Sequence, residues 1–574
     1  MKKLKFNLII ALLLVIPFVL TAQTYKLTSG SNGMAASAHP LASQAAIDML
    51  QKGGNAVDAA VAAAFAIGVV EPDGSGIGGG GSMVIYLKDK KKSFYINYYA
   101  KSPGNAPVNF NSKKQRHTAE SICVPGTVAG LTLAHKKFGS LPLSTILEPA
   151  IHYAEKGFKI DATLASLILD RAEAIMSDSV TVSVFMDDGF PKMEGDLLVQ
   201  KDLAKTLKEI SKKGAKGFYK GKVAESIAEE IQKRGGYLSL NDLKRYKATI
   251  SSPMHGSYRG YEVLSSGIPQ SGISLVEGLN ILENVDLKKM GHYSENSKTL
   301  HIMAETFRKI YTDRNYFMAD PEFFKVPVNG LTSKAYAKER FNAINQLKPE
   351  PKRYRDTEKG MPYKYENIEK KKSGSKKHSG SDETKDVEDK GSTTHLNVVD
   401  KDGNAVSLTQ TLGTFFGSAQ TINGVLFNCA MTNFSSLKKS PNKIENNKFP
   451  RSTITPTIIL KDNKPYLVIG SPGGSRIIST VLQVIVNVLD YEMNVEEANR
   501  APRFYTQRFV DYLHLESGID KKVIEELKEM GHPVRVYQGA DLFFGGVQMI
   551  LIDQKTGKYY GSADIRRGGK AIGY

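Results

Sequence analysis

The chain has 574 residues, of which 41% are hydrophobic and 24% charged, a composition that supports large folded cores and excludes wholesale disorder. Lys and Arg number 77 against 59 Asp and Glu, a formal net charge of +18. Only two cysteines, Cys123 and Cys429, occur, so a disulfide scaffold and a CxxC zinc site are both excluded. Lys2, Lys3 and Lys5 precede an apolar run from Leu8 to Leu20, and Thr21-Ala22 follows. A basic start, a short apolar stretch and a small residue at its exit predict a secretory signal over residues 1–22, cut after Ala22. The run is short for a spanning helix and is broken by Pro17, which disfavours the alternative of an uncleaved anchor. The protein is therefore expected in a periplasm or outside the cell. An exported basic protein meets little nucleic acid, so its lysines read as a solvated surface.

An alanine-rich block comes next. Pro40 marks a helix start, Gly53-Gly54 its stop, and Asn55 the cap of a second helix over about 56–70. That second helix has few polar breaks, so it is predicted to be buried on most sides. Glu71-Pro72-Asp73 leads into a glycine-rich run over 74–81. Gly76, Gly78 and Gly81 have GxGxxG spacing, but a helix precedes them and the strand Met83–Leu87 follows. A dinucleotide site needs the reverse order, so the run reads as a place where two backbones approach closely. From about 141 to 247 the pattern is helical. A strand is predicted at Tyr261–Leu264, and a helix from Ser297 with Leu300, Met303, Phe307 and Ile310 inward.

Residues 369–392 contain one aliphatic side chain, Val387, among Lys, Ser, Gly, Asp and Glu, and predict an exposed linker. A hairpin follows abruptly: Thr393–Val399, a turn at Asp402-Gly403-Asn404, and a return strand from Ala405 to Thr411. Later, a strand at Tyr466–Ile469 runs into Ser471-Pro472-Gly473-Gly474-Ser475-Arg476 and an apolar helix over 477–489. A glycine turn opening a helix presents unpaired N–H donors and suits an oxyanion hole, though a purely structural turn has the same pattern. Motifs for a zincin, a P-loop or a GxSxG elbow are absent, and no metal or cofactor is expected. Ser435 and Lys438 have SxxK spacing, but in a lysine-rich loop without companion motifs. An internal threonine is a poor nucleophile. Thr393 at a newly made N-terminus would instead carry its own base, an α-amine of reference pKa about 7.7–8.0.

The order of these segments resembles the γ-glutamyltransferase family of N-terminal-nucleophile hydrolases. The resemblance rests on Gly53–Ala60, Glu71-Pro72, Ile77–Gly81, Val124–Gly130, Thr393-Thr394-His395, Val399–Val406 and Gly470–Arg476. It implies a four-layer αββα sandwich and a precursor that cuts itself between Ser392 and Thr393. The products would be a large chain, 23–392, and a small catalytic chain, 393–574, held as a heterodimer. It implies Thr393 as nucleophile, Thr411 as its hydrogen-bonding partner, Gly473 and Gly474 as oxyanion glycines, and Ser452 and Thr453 as donors to a substrate carboxylate. The implied substrates are γ-glutamyl amides of glutathione type, with water, an amino acid or a peptide as acceptor.

The sequence departs from the family at the substrate's amino-acid head. Tyr99 stands where the family has a carboxylate-binding arginine. Gly413, Ala430 and Asn433 stand where it has an Asn, a Gln or Glu, and an Asp for the ammonium. The segment between Asn433 and Ser452 is also short for a lid. These departures keep open a divergent acylase, acting on β-lactam side chains, poly-γ-glutamate or other amides, and a non-catalytic binding protein on the same scaffold. Lys101 and Arg451 are the expected substitute cations.

Overall fold

The computed structural model describes residues 27–366 and 392–574. The predicted signal, and the predicted linker apart from Ser392, lie outside the described residues. Two seven-stranded sheets dominate the architecture. One runs in the order Lys570–Gly573, Gly33–Ser37, Thr394–Asp400, Ala405–Thr411, Gly80–Leu87, Lys92–Tyr98 and Thr249–Ser251. The other runs Thr28–Gly30, Tyr559–Ala563, Gln548–Ile552, Lys464–Gly470, Thr457–Lys461, Tyr261–Ser265 and Met254–Tyr258. Neighbouring strands are antiparallel in both. The predicted hairpin forms the centre of the first sheet, with Val399 opposite Ala405 and His395 opposite Thr409.

Side-chain alternation sorts these strands into layers. Val84, Tyr86, Val399 and Ala405 meet Leu264, Ile458, Leu460, Val468 and Ile550 in one core between the sheets. Their alternates Met83, Ile85, Leu396, Val398, Val406 and Leu408 face the other way, into a core shared with helices Pro40–Gln51 and Ala56–Val70. On the second sheet Val263, Ile459, Leu467, Ile469 and Met549 pack on helices Gly272–Leu282, Ser297–Phe317 and Ile477–Leu489. A period of two with both faces apolar requires cover on each side. The result is the expected helix–sheet–sheet–helix sandwich.

Local signals act as predicted. Asn55 caps the second helix through Val57 and Asp58, whose carboxylate returns to the Asn55 N–H. Residues 56–67, 69 and 70 of that helix are all buried. The 141–247 region is largely helical but also holds two short strand pairs, Phe158–Lys159 with Leu197–Leu198 and Met186–Asp187 with Phe190–Pro191. The glycine-rich run serves close approach. A Cβ on Gly79 would stand 2.4 Å from the Thr411 carbonyl oxygen, and one on Gly81 2.3 Å from that of Thr409. Any side chain there would push the strand Gly80–Leu87 off the central hairpin.

Candidate active site

Thr393 and Thr411 lie one step beyond the last recorded pair of the central hairpin, Thr394 opposite Gln410. Register therefore sets them across from each other, on the face that looks toward the second sheet. The Thr393 hydroxyl donates to Thr411 Oγ1 at 3.0 Å, and the Gly413 N–H donates to the same oxygen at 2.9 Å. Thr393 is 3% exposed and has φ of 125°. For a β-branched residue this is a strained conformation, worth roughly 1–3 kcal/mol, and it falls at the predicted scissile junction. The preceding residue is clamped: the Ser392 hydroxyl lies 3.2 Å from the Asp73 carbonyl and 3.1 Å from that of Gly74. The Glu71-Pro72-Asp73 turn is thus a cradle for the chain entering Thr393. Burial, then neighbouring Asp73, pushes the Glu71 carboxyl up to about 8, while Arg567 opposes the shift.

His395, the third residue of the Thr-Thr-His motif, is no base for Thr393. Its ring bonds Thr409 Oγ1 at 2.8 Å and Asn397 Oδ1 at 3.0 Å, and burial drives its pKa down to about 3. Asn397 in turn donates to the Gln548 carbonyl, and Ser407 to that of Ile469. This neutral network ties the two sheets together behind Thr393. Gly470 leaves room for it, since a Cβ there would stand 2.2 Å from the imidazole.

A polar cavity of about 140 Å³ opens on Thr393. Of the predicted residues it gathers Tyr99, Thr411, Gly413, Asn433, Ser452, Thr453 and Gly474 around Thr393. Gly474 begins the turn Gly474–Arg476 that leads into helix Ile477–Leu489. Its carbonyl accepts from the Thr453 hydroxyl at 2.7 Å, which fixes the turn against the substrate-facing loop. Gly473 does not line the cavity. Its φ of 130° and its approach to Gly545, 2.9 Å from a Cβ built on it, make it the residue that lets the turn form.

The wall expected to face the substrate's head group carries Tyr99, Gly413 and Asn433. The Asn433 amide donates to the Tyr99 hydroxyl at 2.8 Å. Burial first, moderated by the Ser452 and Asn433 hydrogen bonds, pushes that phenol up to about 12, so Tyr99 is a neutral hydrogen-bonding group. Ala430 does not reach the cavity and packs instead with Phe110, Cys123 and Phe434. Of the two expected cations, Arg451 lines the cavity, whereas Lys101 pairs with Glu322 at 3.8 Å and sits over Phe449. Arg314 also lines it and was not legible in the sequence. It lies on helix Ser297–Phe317, far from the nucleophile in the chain, and its only local signal is a cation near the end of a mostly buried helix. Ser435 and Lys438 form no dyad in the site: the Ser435 hydroxyl accepts from the Leu437 N–H, and Lys438 lines a separate groove.

Comparison with known proteins agrees with this geometry. A family model described as gamma-glutamyltranspeptidase matches residues 42–574. The chain is 40% identical over 561 residues to a glutathione hydrolase proenzyme of Bacillus subtilis (strain 168), covering 95% of this chain and 92% of that protein. It is 39% identical over 556 residues to a glutathione hydrolase proenzyme of Escherichia coli (strain K12), covering 93% and 90%. Among solved structures, a cephalosporin acylase from Bacillus halodurans superposes with a TM-score of 0.83 at 27% identity, covering 97% of this chain and 99% of that one. With a threonine pair at the mouth of an αββα sandwich and a match over nearly its whole length, the chain belongs to the γ-glutamyltranspeptidase family.

Proposed function

We propose that the chain is an exported, self-processing amidohydrolase of γ-glutamyltransferase type, with Thr393 as both processing and catalytic nucleophile. The observation that carries this reading is the Thr393–Thr411 hydroxyl pair, 3.0 Å apart, in a cavity that also exposes the Gly474 turn. In processing, Thr393 Oγ attacks the Ser392 carbonyl carbon, the Ser392–Thr393 amide breaks, and an ester forms. Water hydrolyses the ester and leaves chains 23–392 and 393–574 associated. The freed α-amine then takes the Thr393 hydroxyl proton as Oγ attacks a donor amide. Backbone N–H groups at the glycine turn stabilise the oxyanion, each worth about 2.7–4 kcal/mol. The leaving amine departs with the proton, and water or an amine acceptor releases the acyl group.

Glutathione-type γ-glutamyl amides are the leading donor class, supported by the glutathione hydrolases at 39–40% identity. A divergent acylase is the second reading, favoured by Tyr99, Gly413 and Asn433 at the head-group wall and by the likeness to a cephalosporin acylase. The residues 1–22 would direct export to the periplasm or beyond. N-terminal sequencing of the purified small chain tests the assignment: it should begin at Thr393, and a start elsewhere overturns it. Release of product from any amide by the processed protein separates an enzyme from a binding protein.

A further inference from the structure

A second groove, of about 270 Å³, opens between the end of helix Ser297–Phe317 and the loop that joins Asn433 to Arg451. One wall is made of five aromatic side chains, Tyr316, Phe317, Phe323, Phe324 and Tyr363. Phe317 is buried and meets Tyr363 edge to face at 5.9 Å, whereas Phe323 and Tyr363 are 39% and 38% exposed. Lys438, Lys439 and Lys443 line the other side, all exposed. The carboxylate in the lining, Glu445, is taken by the buried Lys448 at 2.9 Å. Acidic groups on the segment that carries Phe323 are also engaged: Glu322 pairs with Lys101 at 3.8 Å, and Asp320 accepts from the Phe449 N–H at 2.8 Å. Among the described residues the three lysines have no ion-pair partner. Their loop is held in shape, since the Asn442 amide donates to the Asn433 carbonyl at 2.8 Å and its oxygen accepts from the Arg451 N–H at 2.9 Å. The positive edge is therefore organised before anything binds to it.

The lining discriminates between kinds of guest. Ring faces attract cations, but Lys359 already lies over Tyr316 at 4.5 Å and Lys448 over Phe323 at 5.1 Å, so a cationic guest meets like charge. An anion gains from the lysines, and an apolar ring gains from the aromatic wall. The volume lies below the roughly 300–1,000 Å³ of sites that enclose a small molecule, and it suits one side chain of a larger partner as an anchor. A flat bilayer touches the exposed ring edges and leaves the recess unfilled. We propose that this groove docks an acidic peptide segment of a partner, with one aromatic side chain seated against Phe323 and Tyr363 and carboxylates on Lys438, Lys439 and Lys443. No residue of the groove lines the catalytic cavity, so docking here does not depend on Thr393 being the nucleophile.

The chain contains no tryptophan, so indole emission reports a tryptophan-bearing peptide alone. The probe is a short end-blocked peptide with one tryptophan among glutamates, titrated with the purified protein at low salt. Binding should change the emission, weaken as salt is raised, and be lost when lysines replace the glutamates. Lys438→Gln combined with Lys439→Gln should weaken binding roughly 2- to 30-fold, and Phe323→Ser roughly 2- to 12-fold. All three positions are exposed and outside the catalytic cavity, so the variants should fold and cleave an anilide as the wild type does. Absence of binding, equal binding of the lysine peptide, or no effect of either variant overturns the proposal. Equal affinity for a competing glutamate peptide without tryptophan also overturns it, because the aromatic wall would then have no role. Displacement of the probe by vesicles of phosphatidylcholine and phosphatidylglycerol would assign the surface to a membrane instead and overturn it as well.

Discussion

The two halves of the Thr393 cavity are built by different means. The nucleophile half is set by backbone: the register of one hairpin puts Thr411 across from Thr393, and a glycine turn brings Gly474 to the same place. The head-group half is set by side chains arriving from separate elements, with Tyr99 after one strand, Arg314 on a helix, and Asn433 and Arg451 at the ends of a loop. Backbone geometry there tolerates little change: a Cβ on Gly79, Gly81 or Gly473 would meet the main chain of Thr411, Thr409 or Gly545. The recognition half can exchange one side chain for another without moving a strand. That contrast gives a physical reason to expect exchange at Tyr99, Gly413 and Asn433 sooner than at Thr393, Thr411 or the glycine turn.

Breaking the nucleophile half should give the largest effects. Thr393→Ala should leave a single uncut chain with no amide cleavage, checked by gel electrophoresis and an anilide assay; a cut or active variant would refute the role of Thr393. Thr411→Val removes the oxygen that accepts both the Thr393 hydroxyl and the Gly413 N–H. Two hydrogen bonds at about 0.5–1.5 kcal/mol each predict a fall in kcat of roughly 5- to 150-fold. Thr411→Ser should restore most of it, and failure of that rescue would point to packing rather than hydrogen bonding.

Changes in the recognition half should instead alter preference. Asn433→Asp places a carboxylate beside the Tyr99 hydroxyl, in a cavity without one. It should raise kcat/KM for γ-glutamyl anilide relative to glutaryl anilide by roughly tenfold, about 1.4 kcal/mol. An unchanged ratio would mean that Asn433 does not face the donor's α-carbon.

The smallest effect concerns the cradle behind the nucleophile. A Glu71 pKa raised from 4.5 to about 8 means that the folded protein keeps the proton which the unfolded chain releases. Stability from this group is complete below about pH 4.5 and declines as pH rises toward 8. Glu71→Gln, measured by thermal melting from pH 4.5 to 8, should be less sensitive to rising pH than wild type. Parallel melting curves would place Glu71 ionised in the folded state.

Much of this protein was written locally. Asn55 and the Gly53-Gly54 stop fix two helices, apolar alternation fixes the sheet faces, and the break before Thr393 marks where a strand begins. Capping, alternation and turn chemistry act over a few residues, so they can be read in order along the chain. The expected site residues were legible through motif order, and most of them meet in the cavity. What only the tertiary structure decided is which side chains reach it. Gly473 shapes the turn without lining the cavity, Ala430 packs away from it, Lys101 is drawn to Glu322, and Arg314 enters from a distant helix. None of these outcomes has a local signature, because each depends on which surface of one layer the next layer meets. His395 makes the same point: beside Thr393 in the motif it reads as chemistry, but enclosure between two sheets removes its charge and makes it a tie between them.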